Sequence, residues 1–151
     1  MNPQRWKLTI EYLGTPYSGW QRQEDGVPSV QQKIEAGITG FCQQEIRVHV
    51  AGRTDAGVHA QGQVAQFDLD YGERPLNGYD LAKALNAHLR HEKISILYAE
   101  KVDQDFHARF SARNKLYTYR VLNRTAPPSF EESLIWHGGG DLDIAAMRLA
   151  S

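Results

Sequence analysis

Apolar and polar positions alternate along Trp6-Lys7-Leu8-Thr9-Ile10-Glu11-Tyr12, the pattern of a half-buried strand. A long loop rich in Gly, Pro, Gln and aromatic residues follows, from Leu13 to Pro28. Ser29 then reads as an N-cap, with Gln32 as its capping-box partner. Val30, Ile34, Ile38 and Phe41 share one face of the predicted helix, which runs to about Gln43. Strands are predicted near 46–51 and 62–69. A second helix spans about Tyr79 to Leu89, with Leu81, Leu85 and Leu89 at helical spacing, and a strand covers Ile94–Ala99. The order β-α-β-β-α-β describes an α+β unit, ferredoxin-like or RRM-like. One antiparallel sheet carries both helices on one face and leaves the other for a partner, a second domain or RNA.

This unit is expected to occupy residues 1–103. Residues 104–151 read as a basic loop, a strand near Lys115–Asn123, the turn Ala126-Pro127-Pro128 and the apolar run Leu134-Ile135-Trp136. After Gly138-Gly139-Gly140, Asp141 is placed to cap a helix starting at Leu142. The sequence stops at Ser151, about three turns into that helix. We expect from this that the chain ends short of its natural terminus, within a second subdomain.

A length of 151 residues suits one domain with a real core, and 41% hydrophobic with 23% charged residues is ordinary for a globular chain. The single cysteine, Cys42, rules out a disulfide framework and reads as a small core residue. No apolar run reaches membrane-spanning length, and the polar start Met1-Asn2-Pro3-Gln4-Arg5 is no signal peptide, so a cytoplasmic location without membrane contact is expected. The net charge of -1 does not announce a nucleic-acid partner, but its distribution matters more. Phe106 to Phe130 contains no Asp or Glu, while Arg109, Arg113, Lys115, Arg120 and Arg124 fall there among Phe110, Tyr117 and Tyr119. That stripe fits a phosphate-tracking surface, and equally a solvated basic strand face.

Between the two middle strands lies Ala51-Gly52-Arg53-Thr54-Asp55-Ala56-Gly57-Val58-His59-Ala60. It carries far more chemistry than a hairpin turn needs, on a loop that rigid strands would hold. Spacing alone also fits an Asx-turn with a surface ion pair between Arg53 and Asp55. His49 and His59 lack carboxylate or thiol partners at ligand spacing, so no metal site is expected. There is no Ser-His-Asp order and no phosphate-binding Gly-Lys-Ser/Thr loop.

Four blocks in order give the chain a resemblance to the N-terminal half of the TruA family of tRNA pseudouridine synthases. They are Tyr12–Gln23 (YLGTPYSGWQRQ), Ser29-Val30-Gln31, Ala51–His59 (AGRTDAGVH), and Phe106–Ala112 (FHARFSA) leading to Tyr117-Thr118-Tyr119-Arg120. The resemblance implies the first half of a pseudouridine synthase fold. It implies an isomerase that breaks the C1′–N1 bond of uridine, rotates the base and rejoins it through C5. The substrate would be tRNA, at positions 38, 39 and 40 of the anticodon stem-loop, with no cofactor or metal and with a homodimeric full-length protein. Asp55 takes the place of the family's nucleophile, and Tyr117 that of the tyrosine stacking on the target base. Arg53 would fill the space the flipped base leaves, or hold a phosphate. His107, Arg109, Arg113 and Gln21 would contact RNA, while Trp20 reads chiefly as core packing.

The chain departs from the family pattern where Leu13 replaces Asp, Leu89-Arg90 replaces Leu-Pro and Gln66 stands for His. The family's second half, with a basic partner for the Asp, is absent, so residues 1–151 alone are expected to have little activity. A non-catalytic RNA-binding module is the alternative reading. A metal-independent hydrolase using Asp55 is a weaker third, because no positioned base accompanies it.

Overall fold

The computed structural model describes residues 3–24 and 26–151. Met1 and Asn2, read above as part of a polar start, and Asp25 within the 13–28 loop lie outside them. The chain divides into two units, Met1–Arg113 and Asn114–Ser151.

The first unit contains β1 (Gln4–Tyr12), α1 (Val30–Cys42), β2 (His49–Val50), β3 (Ala60–Leu69), α2 (Gly78–His88) and β4 (Ile94–Val102). The strands form an antiparallel sheet in the order β2-β3-β1-β4, the ferredoxin-like arrangement expected from the alternation of elements. Trp6, Leu8, Ile10 and Tyr12 of β1 face inward beside Ala65, Phe67 and Leu69 of β3. Val30, Ile34 and Ile38 of α1 and Leu81 and Leu85 of α2 complete this core, each at 0% exposure. Burying each of these side chains fully contributes about 1.5–3 kcal/mol, which outweighs the weak intrinsic preference of a short helix. Ser29 Oγ accepts the Gln32 N–H at 3.3 Å, and Asn77 caps α2 through Asp80 N–H at 2.9 Å. Cys42 packs at the core margin, its thiol donating to the Ile38 carbonyl.

Three local expectations need correction. The strand expected over 46–51 pairs only at His49 and Val50. Val48 is withheld from the ladder because α1 side chains take its backbone: its N–H donates to Glu35 Oε1, and its carbonyl accepts from Gln31 Nε2. The strand expected over Ile94–Ala99 runs on to Val102, and a shift of register with β1 at Leu97 turns Tyr98, 71% exposed, outward and sets Ala99 opposite Leu8. The outer face of the sheet is also not wholly open. Arg5 forks onto Asp68 at 2.8 Å and donates to the carbonyls of Gln104 and Phe106, while Ala108 N–H donates to Gln66 Oε1. Residues 104–111 thus fold back over the outer face where β1 begins and β3 ends. That packing keeps residues 104–111 with the first unit, which runs to Arg113.

The second unit holds β5 (Val121–Asn123), a 3-10 turn at Glu132–Leu134, β6 (Trp136–Gly138) and α3 (Ile144–Ala150). β5 and β6 pair in parallel. The strand expected over Lys115–Asn123 is regular only at its end. Leu116 (92% exposed), Tyr117 and Tyr119 find no neighbouring strand among the described residues. The helix cap also moves: Asp143, not Asp141, accepts the Ala146 N–H at 2.9 Å, and α3 begins at Ile144.

Candidate active site

The loop carrying Asp55 is held through its backbone from several directions. Thr54 carbonyl accepts from Trp20 N–H at 3.0 Å, and Thr54 Oγ1 lies 2.7 Å from the Tyr12 hydroxyl. Gly57 N–H donates to the Tyr17 carbonyl, and Val58 N–H closes a turn onto the Asp55 carbonyl at 3.1 Å. At the strand ends, Ala51 N–H bonds the Val64 carbonyl, and Gln63 Nε2 donates to the Gly52 carbonyl at 2.8 Å. His59 Nδ1 accepts the Gly14 N–H at 2.8 Å, which fixes the ring as an acceptor at that nitrogen.

The Tyr12–Gln23 segment is therefore a brace against the Asp55 loop. Its glycines allow the approach. A Cβ on Gly14 would sit 2.0 Å from the Val58 carbonyl oxygen, and Gly19, at φ +91°, would put one 2.7 Å from the Thr54 carbonyl oxygen. Tyr17 locks the far side of the brace: its hydroxyl donates to Glu92 Oε2 at 2.8 Å and accepts from Lys93 N–H. Burial, then the Glu92 contact, pushes the Tyr17 hydroxyl up to about 12. Burial works against the Glu92 charge, but hydrogen bonds from Lys33 and Tyr17 outweigh it and hold that carboxyl below its ordinary value.

Against this fixed backbone the candidate side chains at the tip of the loop are bare. Asp55 and Arg53 are both exposed, and neither side chain makes a hydrogen bond or ion pair with another described residue. The Asx-turn and the Arg53–Asp55 surface pair that spacing also allowed are not formed. The Asp55 carboxylate thus has no hydrogen-bonding task among the described residues, while the backbone that carries it is held at several points.

The structure brings Gln21 and Arg53 into the same neighbourhood as Asp55, since Trp20 beside Gln21 bonds the residue before Asp55. Trp20 itself is 1% exposed and belongs to the core. His107 and Arg109 lie elsewhere. Ala108 is anchored at Gln66, six residues along β3 from Ala60, which is about 20 Å at the strand rise. There His107 lines a shallow groove with Arg47, His49, Gln66 and Asp68, and neither Asp55 nor Arg53 borders it. His107 Nδ1 accepts the N–H groups of Arg109 and Phe110, and its ring packs on Phe110 at 4.4 Å between centroids. It organises the turn that presents Arg109. Arg109 and Arg113 are exposed and unpaired with any described carboxylate. In the second unit, Tyr117 is 69% exposed, Arg120 is committed to Glu131, and Arg124 bonds the carbonyls of Ala126 and Pro127. No group of three or more metal-ligating side chains occurs among the described residues.

Sequence reasoning missed the partners that restrain the loop. Tyr12, Gln63 and His59 were visible only as motif or strand residues. Gln31, seen only within the Ser29-Val30-Gln31 block, and Glu35 are buried at 4% and 5% on the flank of α1's apolar stripe. Their spacing at i and i+4 beside Val30, Ile34 and Ile38 was the available signal.

An antiparallel ferredoxin-like sheet with a braced carboxylate loop at one end is the first half of a pseudouridine synthase fold. The family model for tRNA pseudouridine synthase matches residues 8–111, and the chain belongs to that family. The resemblance drawn from the four sequence blocks therefore holds. A protein named tRNA pseudouridine synthase A from Caulobacter vibrioides (strain NA1000 / CB15N) is 49% identical over 147 residues, 97% of this chain and 58% of that protein. Proteins of the same name from Caulobacter sp. (strain K31) and Anaplasma phagocytophilum (strain HZ) are 50% and 49% identical over 97% of this chain, which covers 57% and 59% of their lengths. The chain thus spans under two thirds of the relatives it matches.

Proposed function

We propose that this chain is the nucleophile-bearing half of an isomerase that converts uridine to pseudouridine in the anticodon stem-loop of tRNA, at positions 38, 39 and 40. The observation that carries the reading is the bare Asp55 carboxylate on a loop whose backbone is restrained on every side. The reaction is redox-neutral. The C1′–N1 bond breaks, N1 takes a proton, C1′ joins C5, and the C5 proton leaves. A carboxylate serves it by attacking the uracil ring or ribose C1′, or by assisting glycosidic cleavage, and no cofactor or metal is needed. A uridine inside a stem must leave the stack to be reached. Arg53 would then fill the vacated space or hold a phosphate, and Tyr117 would stack on the uracil and act as acid or base. Gln21, His107, Arg109 and Arg113 serve RNA binding, with His107 acting through the turn it organises. The full-length protein works as a cytoplasmic homodimer, and residues 1–151 alone turn over little because the pocket needs walls from the rest of the protein.

Asp55→Asn in the full-length gene product tests the reading. The amide keeps the shape but cannot attack carbon. Pseudouridine formation on unmodified tRNA should vanish while tRNA affinity stays within about twofold, since phosphate contacts dominate affinity. Residual turnover within tenfold of the parent would remove Asp55 from the nucleophile role. A parent protein that binds tRNA without turnover would favour the non-catalytic binding module.

A further inference from the structure

Two buried polar side chains on α1 have no part in the chemistry above. Gln31 and Glu35 sit one turn apart, with Gln31 Nε2 donating to Glu35 Oε1 at 2.9 Å. Placing an amide and a carboxylate in an apolar helix interface is unfavourable unless their hydrogen bonds are met. Here they are, and the partners are informative. Gln31 Oε1 accepts Arg22 N–H at 2.9 Å, and Glu35 Oε2 accepts from the Arg22 guanidinium at 3.3 Å. Gln31's own N–H bonds the Trp20 carbonyl at 3.0 Å. On the other side, the pair satisfies both backbone groups of Val48. Trp20 N–H in turn holds the Thr54 carbonyl, one residue before Asp55, and Val48 leads into the strand from which the loop departs.

We propose that Gln31 and Glu35 are positioning residues that fix the Asp55 loop at two points, at Thr54 through the Trp20–Arg22 brace and at its entry strand through Val48. The proposal rests on the reading of Asp55 as nucleophile. Its physical content is that two segments distant in sequence are set by one rigid pair on a helix. Apolar residues at 31 and 35 would fill the space but leave the register of brace and strand to looser packing. A displacement of about 1 Å at a reacting group lowers a rate by about a hundredfold, so such a pair acts on turnover more than on affinity.

Three variants test this, by amide exchange in the 151-residue chain and by kinetics in the full-length gene product. Gln31→Met keeps side-chain length and removes every side-chain hydrogen bond. Glu35→Gln keeps the side-chain oxygen that accepts from Gln31 Nε2 and Val48 N–H and gives up only the bond to the half-exposed Arg22 guanidinium. Ile38→Val loosens the same helix without touching the pair. In Gln31→Met, the Trp20 amide should exchange at least about tenfold faster, and kcat should fall at least about tenfold with KM within about twofold. Glu35→Gln should keep both close to the parent values, and Ile38→Val should leave kcat unchanged. Unchanged Trp20 exchange in Gln31→Met, a Gln31→Met kcat within twofold of the parent, or a Glu35→Gln no better than Gln31→Met would each overturn the proposal. Loss of the nucleophile reading is distinguishable: it appears as turnover in Asp55→Asn and removes the target the pair would position.

Discussion

Gly14→Ala puts the brace to a severe test. The added Cβ would lie 2.0 Å from the Val58 carbonyl oxygen and 2.8 Å from the Gly57 carbonyl carbon, distances that must open to at least 3.0 Å. The clashing atoms are backbone, so no rotamer change relieves them. The brace and the loop must separate by about 1 Å, and the Gly14 N–H to His59 Nδ1 bond of 2.8 Å opens with them. Val58 N–H bonds the Asp55 carbonyl, so the shift reaches the carboxylate. Overpacking of this kind destabilises by about 1–3 kcal/mol, and each kcal/mol is about 4–8 °C in the melting temperature of a unit near 100 residues. A shift of about 1 Å in Asp55 lowers turnover by about a hundredfold.

Melting of the 151-residue chain reads the first effect. Single-turnover pseudouridine formation by the full-length gene product, below the melting range, reads the second. Gly62→Ala is the control. It lies in β3 with nothing within 4 Å of its added Cβ, so stability should change by at most about 0.5 kcal/mol and turnover not at all. Gly14→Ala with turnover within threefold of the parent would refute the idea that the brace positions Asp55, whatever its melting temperature.

Arg109→Ala and Arg113→Ala should each weaken tRNA binding and lower the slope of log affinity against log salt by about 0.7–0.9; unchanged slopes in both would mean that neither meets a phosphate. Tyr17, held protonated up to about 12 in the fold, contributes stability that is complete below the ordinary phenol value and lost as pH rises toward 12. Denaturant titrations of the parent should therefore weaken over that range, and Tyr17→Phe should be less stable at neutral pH yet lack this alkaline loss. A parallel decline in both proteins would exclude Tyr17 as its source. Tyr117→Ala should leave melting within about 0.5 kcal/mol, because the side chain is 69% exposed. Its turnover should fall about fivefold to 150-fold, the equivalent of one base stack of about 1–3 kcal/mol. Unchanged turnover would free Tyr117 from any contact with the base.

The elements of the first unit were legible because their burial follows simple periods. Trp6, Leu8, Ile10 and Tyr12 repeat every second residue, and Val30, Ile34 and Ile38 at helical spacing, so each set faces the core together. Ser29 and Asn77 end their helices by short-range hydrogen bonds, although Asn77 went unremarked. What escaped were long-range polar contacts. Val48 has the alternation of a strand, yet helix side chains take its N–H and C=O. Gln66 reads as a substitution in a motif, yet it anchors Ala108 to the sheet. Residues 115–120 alternate like a strand, but alternation cannot say whether a neighbouring strand exists, and pairing needs one.

The same distinction explains what could be read of the site. Residue types pointed to Asp55 and Arg53 as candidates, because a reactive loop would need particular side chains at its tip. The brace could not be read from spacing, since nearly all of it is made by backbone groups of Gly14, Tyr17, Trp20, Thr54 and Gly57. Any sequence can supply such groups, and only the fold brings them together. Bare side chains on a restrained backbone also separate two demands that conflict in one group. An aspartate that held its own loop through hydrogen bonds would have those bonds to break before it could react, whereas the loop of Asp55 is held by the groups around it. The consequence is directional. Substitutions in the brace should lower turnover through the loop's position while leaving the carboxylate chemically intact, and substitution of Asp55 should remove turnover while leaving the loop in place.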